Sequence, residues 1–337
     1  MKELHTSPAE STLHGKVVVI TGASSGIGRA TAYAFARHGA QLVLAARRKE
    51  VLEEVAAECE RLGARAVAVP TDVTQDRALF RLAQAAKTFG GRIDVWVNNA
   101  GTGAVGEYDK TPLEAHDQVI KVNLIGYLHG AHAVLPCFKE QGAGILININ
   151  SLGAYAPMPY AVSYAASKFG LRGYSEALRA ELSRYPHIHV CDVFPAFIDT
   201  PGFQHGGNYI GKLIKPAPPV YAPERVAKAI VSLARHPQKE AKLVGEFAHV
   251  ARFMHAVCPK FTRWMSARFM EKYFQVAEEA PVTDANLFES SAEGTGVSGG
   301  WRKPGSGNGG TVAGALLAAG AAAGLVYWFR TRSKTTA

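Results

Sequence analysis

Tyr164 and Lys168 stand four positions apart in a segment that reads as helical from near Tyr160, so both side chains leave the same face of one helix. A phenol with a reference pKa of about 10 is a weak base near neutrality, and an ammonium beside it favours the phenolate. Lowering that pKa by about 3 units takes roughly 4 kcal/mol, within reach of two nearby cations in a partly dry site. The pair is therefore suited to proton transfer. Ser151 follows the apolar run Ile145–Asn150, and Asn98-Asn99-Ala100-Gly101 closes another, Val95–Asn98. Both lie where a strand ends, the edge at which open α/β sheets bind ligands. Asn123, inside a helical stretch, offers a buried amide to a water chain.

A second group of residues suits phosphate. Thr21 to Gly28 reads Thr-Gly-Ala-Ser-Ser-Gly-Ile-Gly between the strand Val17–Ile20 and the helix Arg29–Arg37. Gly22, Gly26 and Gly28 permit close backbone approach, and with Ser24, Ser25 and Ile27 they line the turn whose N–H groups face a pyrophosphate. The next strand ends at Ala46, where a site selective for NAD(H) commonly places a carboxylate against the ribose 2′-hydroxyl. Arg47 follows instead and offers a guanidinium to a 2′-phosphate, which favours NADP(H) over NAD(H). Arg48 either assists it or solvates the first turn of the next helix.

The elements that must carry these residues alternate along the chain. Val17–Ile20, Leu42–Ala45, Ala66–Val69, Val95–Asn98, Ile145–Asn150 and His189–Phe194 read as strands separated by helical crossovers. Near-continuous apolar strands imply a parallel sheet covered on both faces, a doubly wound α/β fold over residues 15–245 behind an N-terminal extension, 1–14. The Gly-, Pro- and aromatic-rich stretch Thr200–Pro223 is long for a connection and suggests a lid over the substrate. Residues 246–280 interleave aromatic and basic side chains and read as an amphipathic helical appendix, fit for core packing, subunit pairing or a membrane surface.

After Ala280 the composition turns to Ser, Gly and acidic residues, so 281–311 is expected as a flexible linker. Val312–Phe329 is an eighteen-residue run without a charge, closed by Tyr327, Trp328 and Phe329 and followed by the basic tail 330–337. As a helix it spans about 27 Å, close to the roughly 30 Å of a hydrocarbon core, so a single-pass transmembrane helix is expected. The alternative is an Ala/Gly-rich helix docked on the protein.

The formal charge of +9 suits a phosphate-bearing cofactor and a membrane face. Nucleic acid is disfavoured, because neither zinc-finger spacing nor a basic region running into heptads is present. Four dispersed cysteines, Cys59, Cys137, Cys191 and Cys258, form no C-x-x-C pair and fit a reducing compartment. The first fifteen residues contain no apolar run of the secretory kind, so the catalytic domain is expected on the cytoplasmic side of its membrane.

Taken in order, the glycine run, the Asn98–Gly101 motif, Ser151 and the Tyr164–Lys168 pair resemble the classical short-chain dehydrogenase/reductase family over about Gly15 to Val244. The resemblance implies a Rossmann domain in which Ser151 holds the substrate oxygen and Tyr164 transfers its proton. It implies that Lys168 binds the nicotinamide ribose and lowers the phenol pKa, and that Asn123 supports a proton relay. It further implies that Asn99, Ala100 and Gly101 shape the cofactor floor and that Asp72 and Val73 contact adenine; Asp72 also reads as a helix N-cap. Where the family often has Pro-Gly this chain has Pro195-Ala196, which puts the carboxamide contacts at that turn in doubt, while Thr200 stands at the distance for the cofactor phosphate. Homo-oligomers are the family's habit. The aromatic appendix and apolar tail point to a small hydrophobic carbonyl or alcohol substrate of lipid, steroid or retinoid type. The alternatives are a non-catalytic dinucleotide-binding sensor or scaffold at a membrane and a soluble acyl-carrier reductase.

Overall fold

The computed structural model describes residues 13–290 and 294–302. Elements alternate as expected: β1 Val17–Thr21, α1 Gly26–Ala36, β2 Gln41–Ala46, α2 Lys49–Arg61, β3 Arg65–Pro70, α3 Asp76–Gly90, β4 Val95–Asn98 and a short β5 Ala104–Val105. Next come α4 Leu113–Ile120, a π-helical turn Lys121–Ile125, α5 Gly126–Gln141, β6 Gly144–Ile149, α6 Val162–Leu182 and β7 Ile188–Pro195. The chain continues through α7 Gly202–His205, β8 Gly207–Asn208, α8 Pro223–Arg235, β9 Ala241–Val244, α9 Glu246–Val257 and α10 Pro259–Val276.

Seven strands form one sheet in the order β3-β2-β1-β4-β6-β7-β9, every pairing parallel. β1 shows why its sequence is apolar at every position. Val18 and Ile20 face one hydrophobic layer with α1 and α8, while Val17 and Val19 face the other with α3 and α5. A strand covered on both sides cannot alternate with polar residues, and burying each such side chain contributes about 1.5–3 kcal/mol. Strand order reverses beside β1, so a crevice opens past the carboxyl ends of β1 and β4. The glycine loop and Asn99–Gly101 flank that crevice.

Beyond β9, α9 and α10 form a helical hairpin. Ala248, Thr262, Met270 and Phe274 are buried, and the Phe274 ring meets Tyr160 edge-on at 5.0 Å. Phe253, Trp264, Phe269 and Val276 lie on the exposed side. The stretch after Thr200 folds into α7 and into β8, which pairs with β5, and Asn208 exchanges backbone hydrogen bonds with Thr283.

That last contact begins a correction. The flexible linker expected over 281–311 does not trail free in its described part: Asn286 and Leu287 are buried, and 294–302 lies against the crevice. Composition measured how little apolar area this segment can hide, but its backbone carbonyls and amides find partners on the catalytic domain. Among the described residues no helix is long and apolar enough to cross a membrane. The expected transmembrane helix 312–329, the basic tail 330–337 and residues 1–12 of the N-terminal extension lie outside the described residues.

Candidate active site

The glycine loop is shaped by what a side chain would strike. A Cβ on Gly22, at φ +65°, would come 2.7 Å from Ala100 Cα, and one on Gly28 would come 2.1 Å from the Gly22 carbonyl oxygen. A Cβ on Gly26, at φ +53°, would come 3.1 Å from Thr200 Cβ. The loop is braced from behind by β4: Asn99 Nδ2 donates to the carbonyls of Thr21 and Gly22 at 2.9 and 3.1 Å. Thr21 Oγ1 in turn accepts from the amides of Asn99 and Ala100 at 3.0 and 3.2 Å. Asn99, expected as floor, thus also holds the loop's curvature.

The crevice is lined by Gly22, Ser24, Ser25, Gly26 and Ile27, by Arg47, Arg48, Asp72 and Val73, and by Asn99, Ala100, Gly101 and Thr200. Gly28, Tyr164, Lys168 and Pro195 stand off this lining. No carboxylate occupies the end of β2, and Arg47 projects there with its Nη1 and Nη2 donating to the carbonyls of Phe288 and Asn286 at 2.8 and 2.7 Å. Asp72 is not a helix N-cap: its Oδ1 accepts from the Thr74 amide and hydroxyl at 2.9 and 2.8 Å, closing a turn ahead of α3. The crevice fits a dinucleotide on its own geometry. Glycine-lined backbone faces the phosphate position, and Thr102 Oγ1, also on the lining, is buried without a hydrogen-bond partner.

Past the end of β6 and along α6, Ser151, Tyr164 and Lys168 come together. Lys168 is buried on the inner face of α6, its Nζ donating to the Ile149 carbonyl at 2.9 Å and lying 5.1 Å from the Tyr127 ring and 5.8 Å from the Tyr164 ring. Tyr127 Oη donates to the same carbonyl at 3.1 Å. Burial pushes the Lys168 ammonium down to about 7, with Asp192 pulling the other way. Ser151 Oγ accepts from the Gly153 amide at 3.0 Å, and Gly153 lies against both Ser151 Oγ and the Tyr164 ring. Burial raises the phenol above its ordinary range and the Ser151 contact only partly offsets it. Desolvation disfavours the charged form of both groups, so in the protein alone the phenol stands above its ordinary value and the ammonium below it.

Asn123 sits fully buried in the π-helical turn, and its side chain clamps one residue: Oδ1 accepts from the Thr102 amide at 2.9 Å while Nδ2 donates to the Thr102 carbonyl at 2.8 Å. Nδ2 also reaches Ser167 Oγ at 3.3 Å. The amide thus ties the Gly101–Thr102 turn to the π-helical turn and to α6. Ala196 takes no positive φ, and its amide donates to the Val244 carbonyl at 2.9 Å. The turn after Pro195 consequently has no need of glycine.

Sequence reasoning overlooked Tyr127, which looks like any core aromatic of an amphipathic helix, and Thr102. It also missed Asn286, Leu287 and the strip 294–301, whose contacts around the crevice come from 100 or more residues away in the chain. Gly26 N donates to the Gly296 carbonyl at 2.9 Å, Arg29 Nη1 to the Thr295 carbonyl at 2.8 Å, and Trp301 Nε1 to the Thr200 carbonyl at 3.0 Å. No local pattern marks such contacts.

Comparison with known proteins agrees with this architecture. The chain is 33% identical over 328 residues to an uncharacterized oxidoreductase, YxnA, of Bacillus subtilis, covering 94% of this chain and 90% of that one. It is 34% identical over 263 residues to the probable oxidoreductase EphD of Mycobacterium tuberculosis, covering 73% of this chain and 44% of that longer protein. Among solved structures, an alcohol dehydrogenase of the archaeon Thermococcus sibiricus, complexed with 5-hydroxy-NADP, aligns with a TM-score of 0.60 at 28% identity over 68% of this chain and 95% of that one. A metagenomic short-chain oxidoreductase in complex with NADP aligns with a TM-score of 0.59 at 30% identity over 69% of this chain and 98% of its own. The family model for short chain dehydrogenases matches residues 16–207, more than half the chain, and this protein belongs to that family of oxidoreductases.

Proposed function

We propose that this protein uses NADP(H) to interconvert a carbonyl and an alcohol on a hydrophobic substrate, with Tyr164 as the acid/base. The observation that carries the reading is the convergence of Ser151, Tyr164 and Lys168 beside a glycine-lined crevice whose β2 end presents Arg47 and no carboxylate. The NADP-type ligands of the two aligned structures favour the same cofactor. Arg47 would hold the 2′-phosphate, the Gly22–Gly28 loop and Thr200 the pyrophosphate, and Asp72 and Val73 the adenine side.

The bound nicotinamide supplies or receives the hydride. In reduction, Ser151 Oγ orients the substrate oxygen and the neutral Tyr164 phenol donates its proton there as the carbon–oxygen double bond becomes a single bond. In oxidation the proton returns to a Tyr164 phenolate. A phenol kept protonated by burial is ready for the reductive direction, and a neighbouring cation is needed to hold the phenolate in the other. Lys168, fastened to Ile149, would supply that cation and meet the ribose, while Asn123 clamps the Gly101–Thr102 turn.

A hydrophobic substrate suits the aromatic surroundings: Tyr155 packs on Phe194 at 4.8 Å, and Tyr160 on Phe274 of the appendix. The uncharged run 312–329 would tether the enzyme to a membrane, where such substrates dissolve. NADPH-dependent reduction of a panel of lipid, steroid and retinoid carbonyls tests the activity against small polar sugars. Turnover confined to the sugars, or an undiminished rate in Tyr164→Phe, would overturn the reading. Detergent-free fractionation with and without residues 311–337 tests the tether.

A further inference from the structure

Residues 285–289, Ala-Asn-Leu-Phe-Glu, pass over the β2 end of the crevice, where Arg47 bonds two of their carbonyls and Leu287 is their buried side chain. Leu287 is 1% exposed and packs with Ala104 of β5 and with Ala115 and Val119 of α4. Its carbonyl accepts from Gln118 Nε2 at 3.1 Å, its amide donates to the Asp284 carbonyl at 3.0 Å, and the Asn286 amide donates to the His205 carbonyl at 3.0 Å. Ala285, in the bend that leads into this segment, holds φ +45°, an uncommon value for a residue with a Cβ, and its amide donates to Thr283 Oγ1 at 3.1 Å.

The consequence falls on Arg47. Where the 287 carbonyl turns inward to Gln118, the carbonyls on either side turn the other way, and both accept from the Arg47 guanidinium. An arginine head carries five N–H groups, so with one bond from each terminal nitrogen three remain for another acceptor. Carbonyl oxygens fix the plane of the guanidinium without cancelling its charge, as a carboxylate would. Arg47 is otherwise an exposed side chain at a strand end, with many rotamers to lose on meeting a ligand.

We propose that Leu287 is a positioning residue for cofactor choice. By seating the 286–288 strip it aims two carbonyls that pre-set Arg47 for the ribose 2′-phosphate, so that selectivity for NADP(H) depends on a side chain that touches neither the cofactor nor Arg47. The inference rests on the assignment of Arg47 to the 2′-phosphate, and the experiment separates the two.

Binding of 2′,5′-ADP and of 5′-AMP is measured by calorimetry on the full chain. In the wild type 2′,5′-ADP binds the tighter, and Arg47→Ala abolishes the difference. Leu287→Ala weakens 2′,5′-ADP by about tenfold, the scale of one charge-assisted hydrogen bond, and leaves 5′-AMP within twofold; Leu287→Met restores much of the loss. In steady state the same variant raises KM for NADPH with kcat unchanged and leaves NADH kinetics alone. Should Leu287→Ala fail to fold, Leu287→Val gives the same ordering in weaker form. Equal loss of both ligands, or no loss of either, overturns the proposal while Arg47 keeps its role; tighter binding of 2′,5′-ADP also overturns it, showing that the strip competes with the phosphate. Wild-type protein that does not tell the two ligands apart sinks the Arg47 assignment itself.

Discussion

The glycine loop and the Ser151–Tyr164–Lys168 centre lie at neighbouring strand ends but are built on opposite plans. The loop is almost all backbone: its residues matter for the atoms they lack, since a Cβ on Gly22 or Gly28 would sit inside van der Waals contact with main-chain atoms. The second group is built of side chains, and burial has shifted the protonation of two of them, Tyr164 and Lys168. Adding one methyl breaks the first by collision, whereas removing one oxygen from the second leaves the packing intact and takes away the chemistry. Steric sites fail together with local folding; electrostatic sites fail alone.

Tyr164→Phe gives the largest contrast. It is expected to lower kcat by about 10²–10⁴-fold, the usual range for a lost general acid, with unfolding temperature and NADPH affinity close to wild type. A parallel loss of stability would show that the phenol is structural. Gly28→Ala should do the reverse. Its Cβ meets the Gly22 carbonyl and Asn99 Nδ2, so stability falls by about 1–3 kcal/mol in denaturant titration and dinucleotide affinity falls with it. Unchanged affinity would mean that the loop relaxes without consequence for phosphate binding.

Lys168 adds a pH signature. Its folded pKa is depressed to about 7 against an unfolded reference of about 10.4, so between these values the unfolded chain binds more protons. Stability of the cofactor-free protein therefore gains from this group as pH rises from about 7 towards 10, and the penalty of burying the ammonium is complete below about 7. Melting curves at pH 7 and pH 9 should show that gain in the wild type and a smaller one in Lys168→Met; equal slopes would place the charge elsewhere. Smallest of all, Trp264→Ser on the exposed side of α10 should shift stability by less than about 0.5 kcal/mol, since 62% of that residue already meets solvent. A larger shift would show that this face is covered in solution.

The same division explains what could be read from the chain. Glycines that a turn requires, apolar strands and a Tyr and Lys one helical turn apart are local patterns. β9 was missed because Ala241–Val244 is short and begins exposed, and pairing with β7 supplies what its composition lacks. Asn123 was recognised, but its partner Thr102 was not, since their meeting depends on a π-helical turn packed against a loop 21 residues earlier.

Local order along the chain was enough to set the strand sequence, the placement of the glycine loop and the shared helix face of Tyr164 and Lys168, because periodicity and glycine spacing act over a few residues. It was not enough to show that residues 285–290 and 294–302 return to the crevice, where the carbonyls of Asn286, Phe288 and Gly296 hold Arg47 and Gly26 and the Trp301 indole N–H reaches the Thr200 carbonyl. Nor did it foretell that burial would raise Tyr164 and depress Lys168. Carbonyl directions and desolvation have no signature in residue type; they arise when distant segments close over one another and exclude water.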